Sequence, residues 1–150
     1  VLPLNNELYA TKDIKWSDLL KNQTETPTIE ILKNLLSVAI ILQAYKDKVF
    51  NGANIVINSA WRSASYNIKI GGAKNSQHII GKAVDFCVAG YMPIQVYKIL
   101  NKVHFGGLER AETWTHLDNR GYICRFNSHN HILSSGFSLS EHDRVFCKGT

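Results

Sequence analysis

From Pro27 to about Lys48, Ile29, Leu32, Leu36, Ala39, Ile40 and Gln43 recur at steps of three and four. That spacing lines up one face of an α-helix, and it is the strongest periodic pattern in the chain. Thr26-Pro27 marks its start, with Thr as cap and Pro at the first helical position. Asn51-Gly52 closes it with a turn. A chain committed to one long helix must bury that helix against something, and the remaining segments are short. Trp16, Leu19 and Leu20 anchor a short helix around Lys15 to Lys21. Ala53 to Asn58 alternates and is rich in β-branched residues, which predicts a strand. Gly81 to Val88 predicts another, closed by Gly90. Pro93 opens a second helix with Val96, Ile99, Leu100 and Val103 as its apolar face, and Gly106-Gly107 turns the chain. Trp114 to Leu117 and Tyr122 to Phe126 read as two strands joined at Asn119-Arg120-Gly121. With no repeat and no linker, the expectation is a single α+β domain in which helices flank a small antiparallel sheet.

Composition narrows the class further. At 150 residues with 45% hydrophobic and 19% charged residues, the chain has the balance of one globular domain and can build a core without disulfide or metal. The most apolar run, Leu35 to Ala44, is interrupted by Ser37 and Gln43, so no membrane span is expected. Seventeen basic against twelve acidic residues give a net charge of +5, which suits an anionic partner such as an acidic cell wall. The charges are scattered, with no basic block and no stripe interleaved with aromatics, and nucleic-acid binding is not expected. Cys87, Cys124 and Cys147 stand far apart with no CxxC pair, which argues against a zinc knuckle or a thioredoxin-type site. The chain begins at Val1 without a basic-then-apolar leader, and that start says nothing about secretion.

Two segments carry candidate chemistry. In Ser76-Gln77-His78-Ile79-Ile80-Gly81-Lys82-Ala83-Val84-Asp85, a Gly between His78 and Asp85 can turn the chain so that the two converge. In Trp114-Thr115-His116-Leu117-Asp118, strand alternation places Trp114, His116 and Asp118 on one face. Two imidazoles and one carboxylate are a good zinc set and leave a fourth position for water, the pattern of a catalytic site. Other divalent metals accept the same donors.

The context of these segments resembles a known family. Ser59-Ala60-Trp61-Arg62-Ser63, Asn67, Gly71-Gly72-Ala73-Lys74-Asn75-Ser76-Gln77-His78, Gly81, Ala83 and Asp85, followed by Gly106-Gly107 and His116-Leu117-Asp118-Asn119-Arg120, are similar to the core of the M15 peptidases. The similarity is to the compact branch of these zinc D-alanyl-D-alanine carboxypeptidases and peptidoglycan endopeptidases, which include phage endolysins. It spans roughly Trp16 to Phe126, leaving 127–150 as a C-terminal extension of one domain over 1–150. The resemblance implies a hedgehog/DD-peptidase-like zinc fold, one zinc per chain on His78, Asp85 and His116, and an Arg62 that holds substrate and stabilises developing negative charge. It implies a peptidoglycan peptide as substrate, cleaved next to a D-amino acid, with zinc polarising the scissile carbonyl and acidifying a water. A monomer in the periplasm, cell wall or extracellular space, encoded by a phage or a bacterium, is the matching expectation.

One departure concerns the base. Family members often carry an acidic residue three positions before the last zinc-binding His, and here that position is Thr113. Glu112 is one residue further back and Glu109 seven before His116. Glu112 is the favoured base, with Asp118 its competitor. Asp118 has an alternative role in orienting His116 or pairing with an Arg. The missing acid also keeps open a non-catalytic binding module on the same zinc scaffold. Trp61 and Trp114 are expected in the core or as pocket wall, Cys87 as buried, and Cys124 and Cys147 as space-filling or joined in a disulfide. The His129-x-His131 pair and His142 are expected at the surface of a polar tail.

Overall fold

The structure, a computed structural model, describes residues 8–127. His129, His131, His142 and Cys147, with the expectations attached to them, lie outside the described residues. The elements run α1 (Trp16–Leu19), α2 (Ile29–Lys48), β1 (Ile55–Ser59), α3 (Ala64–Lys69), β2 (Ala83–Val88), α4 (Pro93–Leu100), β3 (Gly107–Arg110), β4 (Thr115–Asp118) and β5 (Cys124–Asn127). The five strands form one sheet in the order β1-β2-β4-β3-β5, antiparallel except for the parallel pair β3 and β5. The fold is α+β, as the sequence predicts.

The long helix is present, but its cap and its buried face differ from expectation. Thr28, not Thr26, caps it, its hydroxyl accepting from the Ile31 amide at 3.2 Å. The residues it buries are Leu35, Val38, Ala39, Leu42, Gln43 and Lys46; of the predicted face Ala39 and Gln43 are among them, whereas Ile29, Leu36 and Ile40 are exposed. Apolar residues occupy most of the helix circumference between Ile29 and Leu42, so the three-and-four spacing fits more than one rotational phase. Polar contacts at the helix end fit the observed one, and Lys46, which is not on the predicted stripe, is the contact that distinguishes it. Gln43 accepts from the Asp13 amide and donates to the Asp13 carboxylate, and the Lys46 ammonium reaches the Gly52 carbonyl and Asp13. Both polar residues can therefore be buried at the helix end without unpaired groups.

The core lies between α2 and the sheet, with Leu35, Val38 and Leu42 meeting Val84, Phe86 and Leu117 in one cluster that also takes in Trp61 and Leu100. Three sequence expectations change. The polar stretch after Ser59 contains α3, opened by Ser63, whose hydroxyl accepts from the Tyr66 amide. Gly107–Arg110 form β3, where the sequence predicts only a turn at Gly106-Gly107. Consequently β4 and β5 are not a hairpin: β3 lies between them. On α4, Val96, Tyr97 and Leu100 are buried while Val103, past the helix end, is exposed.

Candidate metal centre

Register sets the site. Across the sheet, Ser59 pairs with Asp85, Asp85 with His116, His116 with Glu109, and Glu109 with Phe126. Residues paired in register point to the same face. A single row running across all five strands therefore presents Ser59, Asp85, His116, Glu109 and Phe126 side by side.

His78 reaches this row from the turn before β2. Gly81 stands there at φ +78°, and a Cβ on it would come within 2.9 Å of the Ile31 carbonyl oxygen on α2. Only glycine allows that close approach in a left-handed conformation. The Asn34 side chain donates to the Ile80 carbonyl at 2.8 Å and pins the turn to α2. Ser76 accepts from the His78 amide.

His78, Asp85 and His116, all buried, each offer one ligand atom within 4.8 Å of the others. His78 Nε2 lies 3.2 Å and His116 Nδ1 3.0 Å from the same oxygen, Asp85 Oδ1. The other ring nitrogens are committed. His78 Nδ1 meets the Ala60 carbonyl, which can only accept, so that nitrogen carries the proton and Nε2 keeps its lone pair. His116 Nε2 donates to Asp118 Oδ2 at 2.8 Å, which turns Nδ1 toward Asp85. Asp118 is fully buried and also accepts from the Gly107 amide, from the Arg120 amide, and from Arg120 Nε and Nη2 at 2.8 and 2.6 Å. Gly107 makes this possible, since a Cβ there would lie 2.2 Å from the Asp118 carboxylate.

The electrostatics are those of a site short of positive charge. Burial opposes ionisation of Asp85, yet His78 and His116 outweigh it and hold the carboxyl well below the usual range. Burial likewise opposes charging His116, but its hydrogen bonds to Asp118 and Asp85 raise its pKa to about 9. A proton thus sits where two carboxylates flank one imidazole, and a divalent cation can take its place. The donors fit zinc: ligands 2.0–2.1 Å from a tetrahedral ion stand about 3.3 Å apart, close to the 3.2 and 3.0 Å that separate the two imidazole nitrogens from Asp85 Oδ1, and two nitrogens with one carboxylate oxygen are an accepted zinc set.

The cluster opens into a cavity of about 280 Å³. Arg62, Glu109, Trp114 and Phe126 line it with the three candidate ligands, and the Gly71-Gly72-Ala73 loop forms one side. Arg62 Nη2 donates to Asp85 Oδ2 at 3.1 Å, and its Nε to Ser59 Oγ at 3.2 Å. Trp114 is pocket wall, while Trp61 is core, its indole donating to the Ile79 carbonyl. Cys87 is half-buried, not buried, with its thiol toward the Thr113 carbonyl.

The two candidate bases fare differently from expectation. Glu112 is exposed and lines a separate cavity of about 490 Å³ with Met92, Pro93 and Arg110, so the structure does not bring it to the cluster. Asp118 touches His116 but is sealed from the cavity by its own hydrogen bonds, which matches its alternative, orienting role. Glu109 is the acidic residue that joins Asp85 in lining the cavity. The signal for it was the strand hidden behind Gly106-Gly107: once residues 107–110 pair with 115–118, Glu109 falls opposite His116. Burial raises its pKa.

Residues 10–118 match the protein-family model described as Peptidase M15. No curated protein matches the chain.

Proposed function

This chain belongs to the M15 peptidases, a family of zinc-dependent hydrolases, and from that premise we propose that it cleaves peptidoglycan peptides at bonds involving D-amino acids, as a D,D-carboxypeptidase or an endopeptidase. The observation that carries the reading is the convergence of His78 Nε2, Asp85 Oδ1 and His116 Nδ1, each with its other polar atoms already committed. Such commitment fixes tautomer and ring orientation before a metal arrives.

In this reading His78, Asp85 and His116 hold one zinc per chain. Zinc, when bound, supplies Lewis-acid polarisation of the scissile carbonyl and acidifies a water. The chain's own residues do the rest. Asp118 holds His116 in its donating tautomer, and Arg120 keeps Asp118 ionised and in place. Arg62 stands at the cavity with a fork of donors, of which Nη2 lies on Asp85. It binds a substrate carboxylate or the oxygen that gains negative charge as the amide is attacked. Trp114 and Phe126 give the cavity apolar walls that hold the peptide and limit water. The net charge of +5 favours residence on an anionic cell wall, in the periplasm or outside the cell.

The test is metal analysis and digestion on the same samples. Zinc-loaded protein is incubated with insoluble peptidoglycan and, separately, with a peptide ending in D-alanyl-D-alanine. Released D-alanine identifies a carboxypeptidase, and solubilised muropeptides without it identify an endopeptidase. About one zinc per chain with no cleavage of either substrate would overturn the proposal and leave a zinc-containing binding module.

A further inference from the structure

Hydrolysis of an amide needs a group that takes a proton from the attacking water and delivers it to the departing nitrogen. The acidic residues near the cluster can be judged one by one. Asp85 is spent, with Oδ1 between two imidazoles and Oδ2 on Arg62. Asp118 is fully buried and accepts from His116, Arg120 and the Gly107 amide. Glu112 lines a different cavity. Glu109 alone among these lines the cavity while making no side-chain hydrogen bond or ion pair within the described residues.

Its position is fixed by the sheet. Glu109 pairs in register with His116, which pairs in register with Asp85. Adjacent strands lie about 4.8 Å apart, so the Glu109 backbone is one strand spacing from that of a candidate ligand, on the same face. The parallel partner on its other side is Phe126, another wall of the cavity. A glutamate on a rigid central strand, flanked by a candidate metal ligand and an aromatic wall, is held more firmly than one on the loop at Glu112.

We propose that Glu109 is the general base of this site. The assignment rests on the peptidase reading given above. The oxygen of water forms a bond to the scissile carbonyl carbon as the carbonyl π pair moves onto the carbonyl oxygen, and the water proton passes to the Glu109 carboxylate. The oxyanion then re-forms the C=O bond as the carbon–nitrogen bond breaks, the proton moves from Glu109 to the departing amine, and the carboxylate is restored. Atoms and charge balance without any further reactant.

The experiment compares zinc-loaded full-length protein with E109Q, E109D and E112Q on the D-alanyl-D-alanine peptide and on peptidoglycan. Zinc content and calorimetric affinity for the uncleaved peptide are measured on each. For E109Q, kcat should fall about 10²–10⁴-fold, with zinc still near one per chain and peptide affinity within about threefold of the unchanged protein. E109D should recover part of kcat, with a displaced acidic limb in its pH profile, and E112Q should behave as the parent. Undiminished kcat in E109Q overturns the assignment, as does loss of zinc from a folded E109Q, which would make Glu109 a ligand. Loss of peptide binding with kcat retained would make it a specificity contact instead. If the parent itself binds zinc but cleaves neither substrate, the peptidase reading fails, and the base assignment with it. If E109Q does not fold, E109D alone decides, and parental kcat and pH profile in E109D would count against the base role.

Discussion

Two buried histidines that share Asp118 as a partner behave in opposite ways. His116 sits between Asp85 and Asp118, and its pKa is raised to about 9. His104 accepts at Nδ1 from the Tyr45 hydroxyl at 2.8 Å and donates from Nε2 to the Asp118 carbonyl at 2.7 Å. Burial pushes its pKa down to about 4. The two ring nitrogens of His104 are answered by a hydroxyl and a carbonyl, neither of them charged. Beside it the fully buried Arg125 donates to the Gly106 and His104 carbonyls at 2.7 and 2.6 Å. Both His104 ring nitrogens are satisfied with the ring neutral. The cluster around His116 instead brings two imidazoles and the Asp85 carboxylate together at one point, a set that can hold a metal ion. Burial alone does not separate a functional histidine from a structural one; the charge of its partners does.

The largest effect should come from opening the His116 cluster. His78→Ala removes a candidate ligand while leaving Asp85 and His116 paired, so zinc content should drop to near zero and hydrolysis to background. Chelation should lower the melting temperature of the parent, because a ligand bound only to the folded state stabilises it, and should leave that of the variant unchanged. A variant that keeps its zinc would show that the cluster is not the metal site.

Asp118 belongs to both regions, and breaking it should damage both. Asp118→Asn removes the charge that faces His116 and Arg120, leaving the buried Arg120 guanidinium without its counter-ion. Loss of one partner from a buried ion pair costs about 3–5 kcal/mol. Loss of an orienting carboxylate weakens metal binding by about 10–100-fold. Denaturant unfolding and zinc competition measure the two separately. If only zinc affinity changes, the Asp118–Arg120 pair contributes less to folding than its geometry implies.

The region around His104 predicts a pH dependence. His104 titrates near 6.5 when unfolded and at about 4 when folded. Between those values the unfolded chain binds the extra proton, so stability is full above about pH 6.5 and is lost as pH falls toward 4. The difference corresponds to at most about 3 kcal/mol. His104→Gln should be less stable at neutral pH and should lose this part of the slope. An unchanged slope between pH 6.5 and 4 would mean that His104 charges without penalty in the fold.

Much of this was legible in the sequence, for identifiable reasons. The α+β class, the long helix and the Asp85 strand follow from local patterns, because each depends on a few neighbouring residues, and the trio His78, Asp85 and His116 follows from the resemblance to the M15 core, whose motifs are short and contiguous. What was missed depends on pairing between distant segments. β3 is four residues long, Leu108 is its only large apolar side chain, and it is held by strands on both sides. Nothing local announces it, and without it Glu109 has no address. The tight Gly107–Asp118 contact was likewise invisible until β3 and β4 were paired.

The buried face of α2 overlaps the predicted one only in part, for a different reason, and the smallest prediction tests it. The three-and-four spacing picks out Ile29, Leu32, Leu36, Ala39, Ile40 and Gln43, of which Ala39 and Gln43 are buried, yet Ile40 is 55% exposed while Leu42, outside that stripe, is fully buried. Both residues are large aliphatics two positions apart, so propensity hardly distinguishes them and burial decides. Leu42→Ala should cost about 2–5 kcal/mol through lost contacts and a residual cavity. Ile40→Lys should stay within about 0.5 kcal/mol, since surface changes away from special features are nearly neutral. The charged residue also has slightly better helix propensity than the β-branched one it replaces. Denaturant midpoints at constant m-value give both numbers. A large loss at Ile40 would mean that this face is covered in the intact protein and that the sequence pattern had registered a real contact.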